Sequence, residues 1–580
     1  MKFRWKIAPS EPLLAGEIAR KLGITELLAQ CLLNRGHSVP DRINHFLQPR
    51  LKHLADPFLL PDMGLAVDRL FRAREAKESV VVFGDYDVDG VTSTALLLEV
   101  LNRLGWDAEY YLPSRMDEGY GLSQEAAANC LRRCPASLLL AVDCGSTAVD
   151  CIQSLKQRGT DVIVLDHHQA GPVLPPAVAL VNPHAHSAAM NGGQNSMDFR
   201  ELCSVGLAFK LAHALVKRGR DFGHKEALDF DLRPLLDLVA LGTIADLVPL
   251  TGENRILVSA GIERLNQTRR PGLKALKRVA QCREPLGVYE VGFQLGPRLN
   301  AAGRLETAED ALRLLIAANE ATALPLAVGL DARNRERQEI ERVIAAQAIE
   351  ATRISFDPQR DYAIVQGRAD WHIGVVGIVA SKVLQQFYRP TIIVGGDGGL
   401  LRGSGRSIAG FDLADALSQC HELLLRHGGH AMAAGVSLDP GCLDAFRQKF
   451  NEIARQRLSP ESLQPSLRLD GEVGLRDLNL DCLQCLDQLR PVGQGNPTVQ
   501  FCSRNVAHRK PLQRMGTAKQ HVKMWVTDGT ITHEAVWWGA GSEALPVGQF
   551  DLAFAPGINQ FNGNSTVQLK VLDWRPATAS

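Results

Sequence analysis

The sequence has no long hydrophobic run, since none approaches the ~18 apolar residues of a membrane-spanning helix. Its first residues, MKFRWKIAPSEP, also lack the apolar stretch of a signal peptide. The chain carries no low-complexity tract and no repeat of about 20–50 residues. We therefore expect a globular protein that does not associate with a membrane.

Net charge is absent as well, because 64 basic residues balance 64 acidic ones. This balance argues against a protein that coats nucleic acid through bulk charge. It still permits local basic grooves, so nucleic acid stays open as a substrate.

Closely spaced cysteines are also missing. The twelve cysteines are scattered between Cys31 and Cys502, without the spacing of a disulfide framework. Cys482 and Cys485 form a C-x-x-C pair with no second pair nearby, which favours buried thiols over a zinc site. A reducing cytoplasm is the expected location.

The first third of the sequence alternates strand-like and helix-like segments. The predicted strands are SVVVFGD, AEYYLP, ASLLLAVD, DVIVLD and VALVN, and the helices are VTSTALLLEVLNRLG and DCIQSLKQRG. This alternation predicts a mainly parallel sheet with helices on both faces. At 580 residues the chain is too long for one core and should form about three domains.

Three further regions follow along the chain. A charged, helix-periodic stretch from about Glu320 to Ile354 predicts a long connecting helix, with Pro325 near its start. A second α/β segment contains the strands YAIVQG and PTIIVGG and the helix GVVGIVASKVLQQF. From Leu467 onward, short alternating strands separated by Gly, Asn and Asp predict a small β-barrel of the OB kind.

Acidic residues gather directly after the first predicted strand, at Asp85, Asp87 and Asp89. Carboxylates at such spacing repel one another when a fold encloses them, and a divalent cation is the usual compensation. A helix cap or turn is the alternative for each aspartate alone, and Asp89-Gly90 before a helix fits capping. Capping does not explain the repulsion within the cluster.

Other metal-type ligands also follow apolar segments. They are Asp143, the triplet Asp166–His168, and Asp246. Ligands of parallel sheets bind beyond the carboxyl ends of the strands, so these groups should meet at one edge. Carboxylates with imidazole and no thiolate favour Mn²⁺ or Mg²⁺, and a pair of such ions hydrolyses phosphodiesters.

We expect the ligands of two divalent ions to be Asp87, Asp89, Asp143, His167 and Asp246. His168 should point away from His167 if the backbone is extended, and could contact phosphate or protonate the leaving group.

Several other segments are candidates for phosphate contacts, with tight turns as the alternative for the glycine-rich ones. The candidate residues are Arg115, Tyr120, Arg298, Asn300, Arg304, Ser404 and Arg406. His427 and His430 could be ligands or loop hydrogen-bonding groups.

The predicted barrel interleaves basic and aromatic residues, a pattern that can stack on and follow a single strand. These residues are Lys519, His521, Lys523, Trp525, Trp537 and Trp538. Core packing is the alternative for the tryptophans, and strand alternation must bury one of Trp537 and Trp538.

Taken together, the motifs resemble the DHH phosphoesterase family, whose triplet is Asp166–His168. The segments that carry the resemblance are GDYDVDGVTST, YLPSRMDEGYGL, AVDCGS, LDHH, ALGTIADLVPL, GPRLNAAGR, GGHAMAAG and PVGQGNPTVQF, and they span almost the whole chain. The match is closest to bacterial members that degrade single-stranded DNA.

The resemblance implies an α/β multidomain protein. Its expected parts are an N-terminal segment plus a parallel-sheet DHH domain at 1–316, a connecting helix at 317–354, an α/β DHHA1 domain at 355–457 and an OB-fold β-barrel at 465–578. It also implies 5′-to-3′ exonuclease activity on single-stranded DNA that releases mononucleotides, in recombination and mismatch repair.

The resemblance further implies roles for single residues. Asp85 and His168 look like supporting residues of the two-metal site, and Arg304 resembles a contact to the scissile phosphate. Arg115, Ser404 and Arg406 look like contacts to the 5′-phosphate. Phe83 stands where the small pyrophosphatase members carry a metal-binding histidine, which argues against pyrophosphatase activity.

Expected partners are single-stranded DNA, a single-strand-binding protein and a RecQ-type helicase, and we expect a monomer. Two alternatives stay open. One is a phosphodiesterase for short oligoribonucleotides or cyclic dinucleotides, against which the barrel argues. The other is a catalytically inactive replication scaffold, against which the complete set of acidic residues argues.

Overall fold

The structure is a computed structural model that describes residues 3–114, 118–119, 121–185, 199–396 and 399–577. The chain divides into two compact units. The first comprises Met1–Pro40, Glu336–Gln488 and Thr498–Ser580, and the second comprises Asp41–Arg335 and Leu489–Pro497. None of the described helices is long and apolar enough to cross a membrane.

The described strands are numbered along the chain. They are β1 Arg4–Ile7, β2 Val80–Phe83, β3 Ala108–Tyr111, β4 Leu138–Val142, β5 Asp161–Leu165, β6 Ala179–Val181, β7 Ile364–Gly367, β8 Thr391–Gly396, β9 Leu401–Arg406, β10 Arg426–Gly429, β11 Ala433–Leu438, β12 Ser466–Leu469, β13 Gly471–Glu472, β14 Phe501–His508, β15 Gln513–Met515, β16 His521–Thr527, β17 Thr532–Trp537, β18 Gln549–Phe561 and β19 Asn564–Pro576.

The helices are named by their bounds. They are Pro12–Leu22, Glu26–Asn34, Pro40–Leu47, Met63–Ala76, Val88–Arg103, Gln124–Arg133, Val149–Gln157, Ser204–Asp221, Lys225–Leu228, Leu236–Ala245, Gly252–Asn266, Pro271–Ala280, Val288–Glu290, Gly296–Leu305, Glu309–Leu315, Glu320–Ser355, Val376–Phe387, Leu413–Ser418, Leu443–Arg457 and Leu480–Leu486, with a π-helical turn at Val291–Leu295.

The second unit contains the predicted parallel sheet. Its five strands lie in the order β3-β2-β4-β5-β6, and every neighbouring pair is parallel. Alternate residues of β2 enter two different cores, Val80 and Val82 on one face and Val81 and Phe83 on the other. This two-sided burial explains why the strand is apolar at every position.

Helices pack closely behind the sheet where glycine removes a side chain. Helix Leu236–Ala245 is buried almost all round and packs against helix Val88–Arg103. A Cβ at Gly242 would clash with Thr92 and would lie 2.7 Å from the Val205 side chain. This close packing brings the end of helix Leu236–Ala245 to the carboxyl edge of the sheet.

The first unit contains the second α/β segment. Its sheet has the order β10-β11-β9-β8-β7, with β7 and β8 parallel and the other pairs antiparallel. The glycine-rich stretches contribute to β9, β10 and β11, so the tight-turn interpretation is wrong for Gly403 and Gly405 within β9. It holds for the short hairpin between β10 and β11, where Gly429 has a φ of 141°. A Cβ at Gly405 would lie 2.7 Å from Leu413, so glycine is needed there for packing rather than for a turn.

The C-terminal barrel is confirmed. Its sheet has the order β13-β14-β18-β19-β17-β16-β15, and an additional β14–β16 pairing closes five of the strands into a ring. The segment VAHRKPLQRM, predicted as one strand, is divided between β14 and β15.

The long helix is present as Glu320–Ser355, and Pro325 lies in its second turn. The predicted domain bounds stay a prediction. The two-unit division cuts the connecting helix between Arg335 and Glu336 and groups the second α/β segment with the barrel, and it assigns two further segments differently. Residues 1–40 group with the first unit, where β1 pairs in parallel with β12. Leu489–Pro497 groups with the second unit.

Candidate metal centre

The acidic cluster forms the loop between β2 and helix Val88–Arg103. Asp87 caps the helix, because its Oδ1 accepts hydrogen bonds from the backbone N–H groups of Asp89 (2.9 Å) and Gly90 (3.1 Å). A Cβ at Gly90 would lie 2.6 Å from the Asp85 carbonyl oxygen, so glycine lets the helix start against the loop. The capping interpretation therefore holds for Asp87, alongside its place in the cluster.

Asp89 lies in the first turn of that helix and is fully buried. Its two carboxylate oxygens accept from the backbone N–H groups of Ser204 (2.7 Å) and Val205 (2.8 Å), at the start of helix Ser204–Asp221. Burial and the negative charge of Asp87 raise the pKa of Asp89 to about 7. A buried carboxylate in this environment would be stabilised by a cation.

Asp143 follows β4 in the left-handed region, with a φ of 63°. Its backbone N–H donates to the carbonyl of Leu165 at 3.0 Å, and the Ser204 hydroxyl donates to its Oδ1 at 2.9 Å. Burial and the neighbouring carboxylates raise the pKa of Asp143 well above its ordinary value.

His167 faces three carboxylates. Its Nε2 lies 3.5 Å from Asp143 Oδ1, 3.6 Å from Asp246 Oδ2 and 3.8 Å from Asp89 Oδ2. The nitrogen is buried and makes no hydrogen bond to any described residue. Burial and the adjacent His168 lower the pKa of His167 to about 4, which keeps the imidazole neutral at pH 7. A neutral imidazole nitrogen among carboxylates is a suitable ligand set for a divalent cation.

Potential ligand atoms gather in three groups, each with its atoms within 4.8 Å of one another, and two of the groups share Asp143. The groups are Asp143 with His167 and His168, Asp89 with Cys203 and Asp246, and Asp85 with Asp87 and Asp143. The structure thus brings together all five ligands predicted from the sequence, and Asp85 with them.

Cys203 is a member of these groups that the sequence analysis missed. Burial and the nearby Asp89 raise the pKa of its thiol well above the ordinary value, so it is not a thiolate. Its Sγ donates instead to Thr243 Oγ1 at 3.4 Å. The donors that remain are oxygen and imidazole, which fit Mn²⁺ or Mg²⁺.

Asp166, the first residue of the triplet, orients His168. Its Oδ1 lies 2.7 Å from His168 Nδ1, and its Oδ2 accepts from the Ser146 backbone N–H at 3.0 Å. Burial alone would lower the pKa of His168, but the hydrogen bond and charge of Asp166 raise it to about 9. Neither this supporting role nor that of Ser204 was predicted. The role of Ser204 depends on contacts with residues far away in the sequence, whereas Asp166 contacts His168 locally.

Helix Gly296–Leu305 packs against the acidic loop. Asn300 Oδ1 accepts from the backbone N–H of Val88 at 3.2 Å, and a Cβ at Gly303 would lie 2.6 Å from the Tyr86 carbonyl oxygen. Arg304 follows directly in this helix.

Arg298, Arg115 and Tyr120 were also predicted to contact phosphate. Arg298 donates to Asp331 Oδ1 at 2.9 Å and to the carbonyl of Gln294 at 2.6 Å, so its guanidinium is used within the unit. Arg115 and Tyr120 lie outside the described residues.

In the first unit, Ser404 and Arg406 lie side by side on β9. Arg406 Nη1 donates to Ser404 Oγ at 2.8 Å. A Cβ at Gly377 would lie 3.1 Å from Ser404 Oγ and 3.2 Å from Arg406 Nη2, so the start of helix Val376–Phe387 lies against both. A guanidinium, a hydroxyl and a helix N-terminus together suit a phosphate group. His427, in β10, and His430 are exposed and belong to neither this cluster nor the three ligand groups.

The barrel strand β16 separates its residues by face. Val522, Met524 and Val526 are buried, and the other face carries His521, Lys523 and Trp525. The ammonium groups of Lys510 and Lys523 lie 5.3 and 5.4 Å from the centroid of the Trp525 ring.

Three further residues that were predicted to bind the single strand lie just before β16 or at the end of β17. Lys519 precedes β16 in the left-handed region, with a φ of 53°. Trp537 is buried whereas Trp538 is 54% exposed, which confirms that alternation buries one of the two.

Models of three protein families match the chain. The DHH family, N-terminal domain, matches residues 79–243, the DHHA1 domain matches 360–456, and the RecJ OB domain matches 469–573. These ranges contain the parallel sheet, the second α/β segment and the barrel respectively.

Similar proteins extend the match along the chain. The single-stranded-DNA-specific exonuclease RecJ of Bacillus subtilis is 37% identical, over 99% of this chain and 71% of its own length. The RecJ of Escherichia coli is 36% identical, over 87% of this chain and 88% of its own length.

A solved structure agrees in fold. The crystal structure of RecJ in complex with Mn²⁺ from Thermus thermophilus superposes with a TM-score of 0.84 at 30% identity, covering 100% of this chain and 80% of the other. From the family models, the sequence identities and this likeness, the chain belongs to the DHH family and, within it, to the RecJ exonucleases.

Proposed function

We propose that the protein is a single-stranded-DNA-specific exonuclease that hydrolyses phosphodiester bonds with two divalent cations, Mn²⁺ or Mg²⁺. The observation that carries the proposal is the convergence on His167 Nε2 of carboxylates from three separate segments, Asp89, Asp143 and Asp246. The chain has this convergence in a sequence similar along its length to curated single-stranded-DNA-specific exonucleases.

The cation ligands would be Asp87, Asp89, Asp143, His167 and Asp246. When bound, two such ions supply a hydroxide at neutral pH and offset charge on the attacking and leaving oxygens. The protein's own part is to hold the ligands before substrate arrives, through the hydrogen bonds from Ser204 and Val205 to Asp143 and Asp89.

His168 and Arg304 would complete the catalytic site. The Asp166 carboxylate keeps His168 protonated and oriented, so its Nε2–H can donate to a phosphate or leaving oxygen. Arg304 would contact the scissile phosphate, since its helix packs on Tyr86 and Val88 of the acidic loop.

Polarity would come from the cluster on β9. Ser404 and Arg406, with the helix start at Gly377, form a site for the dianionic 5′-phosphate, which gives 5′-to-3′ degradation with release of mononucleotides. The outward face of β16, with His521 and Trp525 and with Lys519 just before it, would bind the single strand by stacking and charge.

The test is a nuclease time course on single strands labelled at either end, with Mn²⁺ and Mg²⁺ added separately. We expect mononucleotides to appear first from the 5′ end, and we expect duplex DNA to resist degradation. Asp143→Ala should abolish release, because losing a ligand of the metal centre removes several kcal/mol of transition-state stabilisation. Asp150→Asn, an exposed acidic control on helix Val149–Gln157, should behave as wild type.

Other outcomes would contradict the proposal in distinct ways. Degradation from the 3′ end would overturn the polarity. Turnover of di- and trinucleotides without degradation of long strands would favour a phosphodiesterase of short oligonucleotides. Binding without any metal-dependent release would favour an inactive scaffold.

The proposal extends to the cellular setting. A role in recombination and mismatch repair, a monomeric state and a cytoplasmic location belong to it. A single-strand-binding protein and a RecQ-type helicase are the proposed partners, because a single-strand-specific enzyme needs unwound ends.

A further inference from the structure

Two large aromatic side chains of the second unit lie exposed against each other. The rings of Tyr289 and Phe293 stack with centroids 5.1 Å apart and an interplanar angle of 28°. Tyr289 is 62% exposed and Phe293 is 68% exposed, although a phenyl ring normally contributes most when buried. We call these two residues the aromatic pair.

The aromatic pair belongs to an unusual piece of helix. Helix Val288–Glu290 continues through the π-helical turn Val291–Leu295 into helix Gly296–Leu305. The turn buries Val291 and Leu295 and leaves Phe293 on the outer side. π-helical turns are rare, occur mostly within α-helices and are frequently found at functional sites.

The helical run that carries the aromatic pair contacts two segments that hold residues of the metal centre. They are the end of helix Leu236–Ala245 and the acidic loop. A Cβ at Gly292 would lie 3.5 Å from Ile244, and one at Gly296 would lie 3.4 Å from Ala245. Ile244 and Ala245 directly precede Asp246, a proposed cation ligand.

Further along the same run, Asn300 and Gly303 pack against the acidic loop, as described above. The distance along a helix from residue 293 to residue 303 is about 15 Å. The aromatic pair therefore lies on the same helical run as the residues that pack against the acidic loop.

We propose that the aromatic pair is a stacking site for bases of the single-stranded DNA close to the scissile bond. The inference rests on the proposed function and adds a binding site to it. Every base presents a π-face, so the site holds the strand without selecting sequence. The pair alone is too small for a stable protein interface, since two aromatic side chains bury roughly 300–500 Å² whereas a partner normally buries about 800 Å².

The test uses single strands that carry 2-aminopurine at successive positions from the 5′ end, bound to the full-length protein in the presence of a chelator. Stacking quenches this base, so wild type should quench one or two adjacent positions. Phe293→Ala should lose that quenching and weaken binding roughly tenfold. Phe293→Trp should restore both, because it keeps a stacking surface.

Phe222→Ala is the matched control, since Phe222 is a 57% exposed aromatic residue of the same unit. It should leave quenching and affinity unchanged. Hydrolysis of a thymidine 5′-phosphate aryl ester, which has no neighbouring base, should be equal in wild type and Phe293→Ala.

The inference is overturned if wild type degrades single strands and Phe293→Ala degrades and binds them equally well. A change in sedimentation without a change in DNA binding would overturn it too, and would indicate a contact with a second copy of the chain. If wild type releases no nucleotides from any single strand, it is the proposed function that fails.

Discussion

At the residue scale, the metal centre depends on groups that hold ligands rather than on the ligands alone. Ser204 contributes both its backbone N–H, to Asp89, and its hydroxyl, to Asp143. Nothing in the local sequence around Ser204 indicates this role, because its two partners lie in distant segments. The clustering of the acidic residues with His167 could be predicted, since each of them follows a recognisable apolar segment.

Asp166 provides a test of such support. Asp166→Asn should lower nuclease activity about 10- to 100-fold, because His168 and the Ser146 N–H lose their charged acceptor. Mn²⁺ affinity, measured by calorimetry, should change less, since Asp166 belongs to none of the described cation groups. A larger loss of Mn²⁺ affinity than of activity would contradict an orienting role.

Asp528, in the turn after β16, should make barrel stability depend on pH. Its carboxylate accepts from Leu475 N (3.0 Å), Thr530 N (3.0 Å) and Thr530 Oγ1 (2.7 Å). Slight burial opposes the effect, but these hydrogen bonds lower the pKa of Asp528 to about 2. A lowered folded-state pKa stabilises the fold above the unfolded value of about 3.9, and this stabilisation is lost as the pH falls through about 2.

Asp528→Asn should therefore cost about 1 kcal/mol of unfolding free energy at pH 7, since solvent screens a group at the surface. The difference from wild type should narrow as the pH falls from 5 towards 2. Tryptophan fluorescence during guanidinium unfolding measures it, with Trp525 on the preceding strand as the reporter. A difference that stays constant with pH would contradict the assignment.

At the element scale, hydrophobic periodicity predicted most of the strands and helices, because the spacing of buried side chains follows the repeat of each element. Continuous apolar runs gave β2, β4 and β5, and alternation gave β16. The glycine-rich β9 was misread because glycine normally indicates a turn. Its glycines are needed for close packing against neighbouring side chains, which only the tertiary structure reveals.

Gly242 should show the same packing requirement in a helix. Gly242→Ala should destabilise the protein by about 1–3 kcal/mol and reduce activity, because the added methyl group meets Val205 and Thr92 beside Asp89. Gly329→Ala is the matched control, as nothing lies within 4 Å of a Cβ there. In the interior of helix Glu320–Ser355 it should stabilise by about 0.5–1 kcal/mol. Urea unfolding with nuclease assays would check both.

At the scale of the whole molecule, the C-terminal region cannot be deleted without also removing a segment of the second unit. Leu489–Pro497 groups with the second unit, where buried Arg255 donates to the carbonyls of Leu489, Arg490 and Pro491. The backbone N–H of Leu250, close to Asp246 in sequence, donates to Gln494 at 2.7 Å. Deleting the region would remove support near the metal centre, so surface substitutions are the better test of the barrel.

Because the chain as a whole is neutral, strand binding must depend on local charge. Lys510→Gln, beside Trp525, should lower the slope of log affinity against log salt by about 0.7, the value for one phosphate contact on a single strand. Lys225→Gln, an exposed lysine of the second unit, should leave the slope unchanged. Equal slopes for the wild type, Lys510→Gln and Lys225→Gln would show that this face of the barrel does not bind the strand.

The parallel pairing of β1 with β12 sets an order for biosynthesis. Arg4 is aligned with Ser466, so the first strand leaves the ribosome long before its neighbour has been translated. At roughly 5–20 residues per second, the delay is on the order of a minute. During that interval β1 lacks its partner strand, and the first unit can be completed only after Ser466–Leu469 has emerged.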